Sequence, residues 1–258
     1  NQNFPKPAPD YQEAPLTSAQ AVAIIDSKTG ISLFEKNSNT KHLPASTTKM
    51  MTALVTLENC SPSDIITIGS VQKEGTQMGL GIGDKVTVEN LLYGLLLSSG
   101  NDAAYALANA CAHSYNDFIQ NMNQKVVDLD MKNTHFINPA GFDDNLQYST
   151  ALDLVKLAKI VAANPLIAKI VSTKSTVVTD ITGNKTYALE NVDKLLGVVV
   201  GLEGVKTGQT EGSLGIFISK ITRDGNTIIM AVLGSNDRFG ETEKFVDWVF
   251  KNHIWPKN

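Results

Sequence analysis

Segments typical of β-strands stand near both ends of the chain, and a long block of helical sequence separates them. Near the start, SKTG joins the runs AQAVAIID and GISLFEK and predicts a hairpin. Near the end, RDG joins GSLGIFISKIT to NTIIMAVLGS and predicts another. Between them, apolar residues recur at three- and four-residue steps, as they do on helices. This order predicts an α+β fold in which helices flank a central antiparallel sheet and an all-helical subdomain is inserted.

The predicted elements divide the chain into a short arm and one domain. Residues 1–16 are rich in proline and predict an extended arm. Residues 17–258 form the domain, and its helical insertion covers roughly residues 60–165. After Pro165 the pattern turns β-like through STVVTD, KTYAL and VVVGLEGVKTG. Periodicity and caps predict helices over residues 46–60, 88–113 with a break at SSGND, 115–129, 149–162 and 241–252.

Composition excludes some classes of function. The 258 residues are 42% hydrophobic and 19% charged, with a formal net charge of −4, as in an ordinary globular domain. No basic run could follow a phosphate backbone, so no nucleic-acid partner is predicted. No apolar stretch reaches the roughly 18–20 residues that a membrane span needs. The first residue is Asn rather than Met, which predicts a processed chain whose secretory signal has been removed.

The chain has two cysteines, Cys60 and Cys111. Their spacing fits no metal site, and neither has the electropositive or base-flanked setting of a reactive thiol. Each lies near the C-terminal end of a predicted helix, so the first expectation is a small packed residue. A disulfide between them stays open if the protein is exported to an oxidising compartment.

The pattern Ser-x-x-Lys occurs three times, at Ser46/Lys49 and in the runs 38–41 and 70–73. A serine becomes a good nucleophile only when a base removes its proton. On a helix, residues three apart share a face, so Lys49 can reach the Ser46 hydroxyl. Only this copy stands at a predicted helix start, where unpaired N–H groups favour an alkoxide. Taken alone, the motif leaves open that Ser46 is simply a helix cap.

A lysine that acts as a base must be neutral, which requires burial or a neighbouring cation. The run GVKTGQT supplies such a cation in Lys206, at the end of a strand-like segment. Gly208 would let an extended substrate lie against the strand edge. The same tripeptide occurs at residues 28–30, where a turn of the first predicted hairpin is the preferred interpretation.

Ser99-Gly100-Asn101 breaks the helical block between two apolar helices. A hydroxyl and an amide held at such a corner can relay a proton and hydrogen-bond a substrate carbonyl. The alternative is an ordinary helix break and cap, which is the preferred interpretation of the similar run at residues 114–116.

Three motifs therefore follow one another in the order Ser-x-x-Lys, Ser-x-Asn and Lys-Thr-Gly, which is typical of class A β-lactamases and penicillin-binding proteins. More closely, the chain resembles the low-molecular-weight penicillin-binding proteins, the serine D-alanyl-D-alanine carboxypeptidases. The likeness covers about residues 19–250. It is carried by LPASTTKMMTAL, GDKVTVENLLYGLLLSSGNDAAYALA, NTHFINPAGFDD with YSTALDL, and GVKTGQT. It implies a β-lactamase/transpeptidase-like fold and needs no metal or cofactor.

By this resemblance, Ser46 is the nucleophile that forms the acyl-enzyme and Lys49 is its general base. Ser99 would pass the proton to the leaving D-alanine. Asn101 would orient the substrate and Lys49.

The remaining motif residues bind the substrate in this family. Lys206 and Thr207 would hold the terminal carboxylate, for which a cation and a hydroxyl are suitable partners. The backbone N–H groups of Ser46 and Gln209 would form the oxyanion hole. Gly208, between Thr207 and Gln209, belongs to the same substrate-binding motif.

The resemblance implies a stem peptide ending in D-Ala-D-Ala as substrate, and β-lactams as covalent inhibitors. It places the protein outside the cytoplasm, in the periplasm or at the outer face of the membrane, with a peripheral anchor possible in a full-length protein. Leu214 stands at about the position of a tyrosine in relatives, and Ala140 replaces a hydroxyl or imidazole side chain. These departures concern the walls of the cleft and the rate of deacylation.

Two alternative functions remain open. A class A-like β-lactamase would need a glutamate to activate water, usually in a loop resembling E-x-x-L-N. No such run occurs between Asn101 and Lys206, where NPAGFDDNLQ offers only Asp143 and Asp144. A non-catalytic sensor would bind β-lactams or peptidoglycan and never turn over.

Overall fold

The computed structural model describes residues 4–256 of the chain. The strands are β1 (Lys6–Pro7), β2 (Ala21–Asp26), β3 (Ser32–Lys36), β4 (Ile65–Thr67), β5 (Lys85–Thr87), β6 (Ser175–Thr179), β7 (Thr186–Glu190), β8 (Leu202–Thr210), β9 (Leu214–Arg223), β10 (Asn226–Ser235) and β11 (His253–Ile254). The helices are α1 (Thr48–Asn59), α2 (Val88–Leu96), α3 (Asn101–Ala110), α4 (Tyr115–Asp128), α5 (Ala151–Val161), α6 (Pro165–Val171) and α7 (Arg238–Asn252).

Five antiparallel strands form the central sheet, in the order β3-β2-β10-β9-β8. Helices α5 and α7 contact the sheet, and one apolar core lies on each side of it. All six residues of β2 are buried because both faces of this strand are covered. The α+β fold predicted from the sequence is therefore confirmed.

The helical insertion contains α2, α3 and α4, which pack with α1 in one of the two cores. As predicted, Thr87 caps α2, and its side chain accepts a hydrogen bond from the N–H of Asn90. The subdomain is not all-helical, because β4 and β5 pair in an antiparallel two-stranded sheet within it.

Several boundaries differ from the prediction. The chain after Pro165 was predicted to be β-like, but α6 covers Pro165–Val171 and is capped by Asn164. Strands β6 and β7 form a separate two-stranded sheet instead of joining the central one. Helix α7 begins at Arg238, three residues earlier than predicted, because Asp237 accepts a hydrogen bond from the N–H of Gly240.

The segment predicted as an extended arm contacts the C-terminal elements. Strand β1 pairs with β11, and the N–H of Ala8 donates to the carbonyl of Asn252, 2.9 Å away. The indole N–H of Trp248 donates to the carbonyl of Gln12 at 2.9 Å. Within the arm, residues 1–3 lie outside the described part of the chain.

A disulfide joins Cys60 to Cys111. The expectation of two separate packed thiols was therefore wrong. Cys60 follows α1 and Cys111 follows α3, so the bond connects the C-terminal ends of these two helices.

Breaking this disulfide is expected to lower the free energy of unfolding substantially. The bond closes a loop between residues 51 positions apart. Loss of that constraint on the unfolded chain corresponds to about 4 kcal/mol. Urea denaturation with and without dithiothreitol measures the change. A double Cys60→Ala/Cys111→Ala variant serves as the control, because reductant should not affect it; equal midpoints for the oxidised and reduced wild-type protein would contradict the prediction.

None of the helices in residues 4–256 combines the length and apolar character needed to cross a lipid bilayer.

Candidate active site

Ser46 lies in a short 3₁₀ turn, Ala45–Thr47, that leads directly into α1. The α-helix thus begins at Thr48 and not at Ser46 as predicted. Ala45 has a φ of +47°, and Gly141 packs against it so closely that a Cβ at residue 141 would lie 1.8 Å from the Ala45 carbonyl oxygen. Such strained, tightly packed backbone is common where a reactive side chain is held in place. It leaves Ser46 half-buried beside the cleft.

Lys49 is fully buried, one helical turn after the serine. Its Nζ lies 3.0 Å from Ser46 Oγ and donates a hydrogen bond to the Ala140 carbonyl at 2.7 Å. Burial lowers the pKa of Lys49 well below its usual value, and the positive charge of Lys206 lowers it further, while Asp102 opposes the shift. A neutral amine that donates to Ala140 keeps its lone pair for the Ser46 proton, so Lys49 is suited to act as a base.

The other two Ser-x-x-Lys copies lack this geometry. Lys41 is exposed, and its Nζ lies 3.8 Å from the centroid of the Tyr148 ring. The copy at residues 38–41 therefore has no buried lysine. Ser70 and Lys73 are both exposed on a loop. Neither copy therefore has the buried lysine beside a serine that distinguishes Ser46 and Lys49.

The duplicates of the other two motifs have ordinary structural roles. Residues 28–30 belong to the turn between β2 and β3. Ser114 is the N-cap of α4, and its side chain accepts a hydrogen bond from the N–H of Asp117. Both preferred interpretations from the sequence are confirmed.

Ser99 and Asn101 lie where α2 ends and α3 begins. Ser99 has a left-handed φ of +60° and is almost completely buried. The Asn101 side chain donates through Nδ2 to the Glu74 carbonyl at 3.0 Å, and its N–H donates to the Thr76 carbonyl at 2.7 Å. Within the described chain no hydrogen bond joins Asn101 to Lys49, so the orienting role of Asn101 toward that lysine stays a prediction.

The sequence-based prediction missed Asp102, which follows the Ser99 motif and is buried. Its carboxylate accepts hydrogen bonds from the N–H groups of Met78, Gly79 and Leu80 at 2.8, 2.9 and 3.0 Å. These bonds hold the loop at residues 74–80, which also contacts Asn101, against the start of α3. The motif SSGND does include this residue, but its partners are too distant in the sequence to be identified from it.

Replacing Asp102 by asparagine is expected to destabilise the protein and slow acylation of Ser46. An amide has one acceptor oxygen where the carboxylate has two, so a buried N–H loses its partner. We expect a loss of about 2–3 kcal/mol in the free energy of unfolding. Urea denaturation and labelling with a fluorescent penicillin measure both effects. Asp117→Asn is the matched control, since Asp117 also lies in a first helical turn but is only half-buried, whereas Asp102 is almost completely buried; an equally large loss there would refute the special role of Asp102.

The Lys-Thr-Gly motif lies on β8, at the edge of the central sheet. Gly208 packs so closely against the serine turn that a Cβ on it would lie 3.0 Å from the Ser46 nitrogen. Lys206 and Thr207 are buried, whereas Gln209 is exposed. The edge of β8 and the serine turn thus form the two sides of a narrow cleft.

Two cations lie at the β8 side of the cleft. Lys206 donates through Nζ to the Thr207 carbonyl at 3.0 Å. Burial lowers the pKa of Lys206 to about 7; attraction to Asp193 opposes this shift and repulsion from Arg238 adds to it. Arg238, the first residue of α7, donates through Nη1 to the Gln209 side chain. No motif or spacing in the sequence pointed to Arg238, because only the fold brings α7 beside β8.

The loop that follows Ala140 closes the cleft on one side. Asp143 accepts a hydrogen bond from the N–H of Gly212 at 3.3 Å and is exposed. Leu214, the predicted departure from the family pattern, has a φ of +56°. In residues 4–256 no group of three or more His, Cys, Asp or Glu side chains could hold a metal ion.

Comparisons with known proteins agree with this geometry. The model of the D-alanyl-D-alanine carboxypeptidase family, peptidase family S11, matches residues 9–237. D-alanyl-D-alanine carboxypeptidase DacF of Bacillus subtilis is 32% identical over 246 residues, which are 91% of this chain and 63% of that protein. The corresponding carboxypeptidase of Streptomyces strain K15 is 34% identical over 259 residues, covering 92% of this chain and 88% of that protein.

Solved structures support the same assignment. The crystal structure of the Streptomyces K15 DD-transpeptidase superposes with a TM-score of 0.87 at 32% identity, covering 93% of this chain and all of that one. A penicillin-binding protein homologue from Mycobacterium tuberculosis gives a TM-score of 0.88 at 30% identity over 98% of both chains. The chain spans less than two thirds of the Bacillus relative's length. With the family model and these relatives matching over most of its length, the chain belongs to the D-alanyl-D-alanine carboxypeptidase family of serine peptidases.

Proposed function

We propose that the protein is a serine-type D-Ala-D-Ala carboxypeptidase that removes the terminal D-alanine from peptidoglycan stem peptides. The observation that supports this most directly is the buried Lys49 amine, 3.0 Å from Ser46 Oγ. β-Lactams would acylate the same serine. Family membership and the relatives' names support the carboxypeptidase, and the Mycobacterium neighbour's description as a penicillin-binding protein homologue supports acylation by β-lactams.

In the proposed reaction Lys49 takes the Ser46 proton, and Oγ attacks the carbonyl carbon of the penultimate D-alanine. The oxyanion is stabilised by the N–H groups of Ser46 and Gln209. Ser99 passes the proton to the nitrogen of the departing D-alanine. Water then attacks the acyl-enzyme, the Ser46 ester bond breaks, and the oxygen regains its proton.

The terminal carboxylate of the substrate would bind at the β8 side of the cleft. Lys206 and Thr207 supply an ammonium and a hydroxyl there, and the guanidinium of Arg238 lies beside Gln209. A carboxylate that leaves water for a partly buried site needs such charged donors.

Hydrolysis and transfer to an amine both proceed from the same acyl-enzyme. The Streptomyces K15 relatives carry both names, D-alanyl-D-alanine carboxypeptidase and DD-transpeptidase. We propose hydrolysis as the main reaction, and transfer to an added amine acceptor is an outcome that the assay detects.

Two alternatives were considered from the sequence, and the cleft argues against the first of them. In a β-lactamase of class A type, a carboxylate activates the water that deacylates the enzyme, but Asp143 is exposed and is bound to the N–H of Gly212. A sensor that never turns over would share the nucleophile, so kinetics must separate it from an enzyme.

The proposed site of action is outside the cytoplasm, at the peptidoglycan. The Cys60–Cys111 disulfide supports this location, because such bonds persist in oxidising compartments and are rare in the cytosol. A removed signal peptide and a peripheral membrane anchor in a longer protein are parts of the same proposal.

One experiment separates these functions. The protein is incubated with a fluorescent penicillin and, separately, with a peptide ending in D-Ala-D-Ala, with and without an amine acceptor. D-alanine release together with a long-lived penicillin adduct supports the carboxypeptidase. Rapid hydrolysis of penicillin would instead indicate a β-lactamase, and a stable adduct without D-alanine release a sensor.

A further inference from the structure

Asp193 is a buried carboxylate in the segment that connects β7 to β8, and the proposed mechanism does not use it. Only 8% of its surface is exposed. The N–H of Leu195 donates to Oδ1 at 2.9 Å, whereas Oδ2 is buried without a hydrogen-bond partner. A buried carboxylate oxygen without a partner costs free energy, so another interaction must offset that cost.

The segment around Asp193 lies between two parts of the candidate site. The N–H of Val192 donates to the carbonyl of Leu97 at 3.1 Å, two residues before Ser99. On its other side the chain continues into β8, which carries Lys206. The buried Asp193 thus lies in the segment that links the Ser99 corner to the Lys-Thr-Gly strand.

Positive charge dominates this part of the cleft. Lys206 from β8 lies near Lys49 from α1 and Arg238 from α7, and each of these three groups is desolvated by burial. Asp193 attracts Lys206 and is the charge that raises the lysine's pKa against burial and against Arg238. The neighbouring Lys194 is exposed. Burial raises the pKa of Asp193 itself to about 6, so this group is mostly ionised at pH 7.

We propose that Asp193 is a positioning residue for substrate capture, the buried counter-charge that keeps the Lys206 ammonium available for the substrate's terminal carboxylate. This inference rests on the proposed function of the site. Asp193 acts through Lys206 and does not touch the substrate.

The separation of the two groups suits this role. Among residues 4–256, Lys206 forms its hydrogen bond with the Thr207 carbonyl and no direct ion pair with Asp193. A direct ion pair would compete with the substrate carboxylate for the same donors. A counter-charge beyond hydrogen-bonding distance stabilises the ammonium in the low-dielectric interior and leaves its remaining N–H groups free.

The test is the pH dependence of kcat and KM in Asp193→Asn, with release of D-alanine from a D-Ala-D-Ala peptide as the assay. Asparagine keeps an acceptor for Leu195 but removes the charge. Without Asp193 the pKa of Lys206 falls, so binding weakens as pH rises. We expect the basic limb of the kcat/KM profile to move down by about one pH unit. At pH 7.5, KM should rise about tenfold, whereas kcat should change less than about threefold.

Two further variants exclude trivial explanations. Glu190→Gln removes the same charge from an exposed position just before this segment and should leave the profile unchanged. Asp193→Glu keeps the charge and should retain the wild-type basic limb. If Asp193→Asn fails to fold, Asp193→Ser is the second neutral variant, since a hydroxyl can also accept from Leu195.

A direct measurement separates this inference from the proposed function. The titration midpoint of the Lys206 ammonium can be measured by NMR on protein whose lysines carry ¹³C at Cε. This measurement needs no substrate. A lower midpoint in the neutral variant supports the role of Asp193 even if the wild-type protein releases no D-alanine. An unchanged Lys206 midpoint, or an unchanged pH profile in an active neutral variant, would overturn the proposal and leave Asp193 as a loop residue that only binds Leu195.

Discussion

Replacing Ser46 by alanine is expected to abolish both acylation by penicillin and release of D-alanine. The variant lacks the Ser46 hydroxyl, which lies 3.0 Å from Lys49 Nζ, so no acyl-enzyme can form. We expect the rate of peptide turnover to fall by about a thousandfold or more. Labelling with a fluorescent penicillin, followed on a denaturing gel and by intact mass, measures the loss.

Ser38→Ala and Ser70→Ala are the controls, because both serines occupy the same position in a Ser-x-x-Lys motif. They should label at the wild-type rate, since neither has a buried lysine beside it. A thermal melt of Ser46→Ala shows whether the variant is folded. A penicillin adduct on folded Ser46→Ala would disprove the nucleophile assignment.

Replacing Lys49 by methionine is expected to reduce the acylation rate by about 10²–10⁴-fold while the protein stays folded. Methionine has a similar length and no charge, so it fills the buried position while removing the base and its hydrogen bond to the Ala140 carbonyl. The pH dependence gives a second readout. Because burial and Lys206 lower the pKa of Lys49, the wild-type rate should rise as pH increases through that lowered pKa.

In Lys49→Met the acidic limb of this profile should disappear, because no group remains to lose the proton. Lys73→Met is the matched control and should retain the full profile, since Lys73 is exposed. Lys49→Arg tests the charge alone, because a guanidinium does not lose its proton in this range. An active Lys49→Arg variant would rule out Lys49 as the base.

The sequence was sufficient for the fold class, because the β2–β3 and β9–β10 hairpins are local and their apolar patterns are clear. It was not sufficient for α6. Three of its seven residues, Ile167, Ile170 and Val171, are β-branched as in a strand, and tertiary packing together with the Asn164 cap decides the outcome. The cysteine pairing was undetermined for a similar reason, since the distance between two helix ends depends on how the helices pack.

Within the candidate site, the motif residues could be identified from the sequence, but the residues that lie beside them in the fold could not. The spacing of Ser46 and Lys49 indicates a contact, because residues three apart on a helix are neighbours. No spacing rule places Arg238 beside Gln209 or Asp193 near Lys206. These contacts depend on the order of the strands in the sheet and on loops that connect distant elements. A single sequence shows neither.

The strand order also affects how the protein can be synthesised. β2 is an inner strand, and its partner β10 comes from the opposite end of the chain, with Ala23 opposite Ala231. Until β10 has emerged, the β2–β3 hairpin has an unpaired edge, which is a template for association with other chains. Folding therefore depends on contacts distant in sequence, and such contacts form slowly. A nascent chain of this kind needs protection of that edge during translation, and a truncation before β10 should aggregate rather than form a smaller domain.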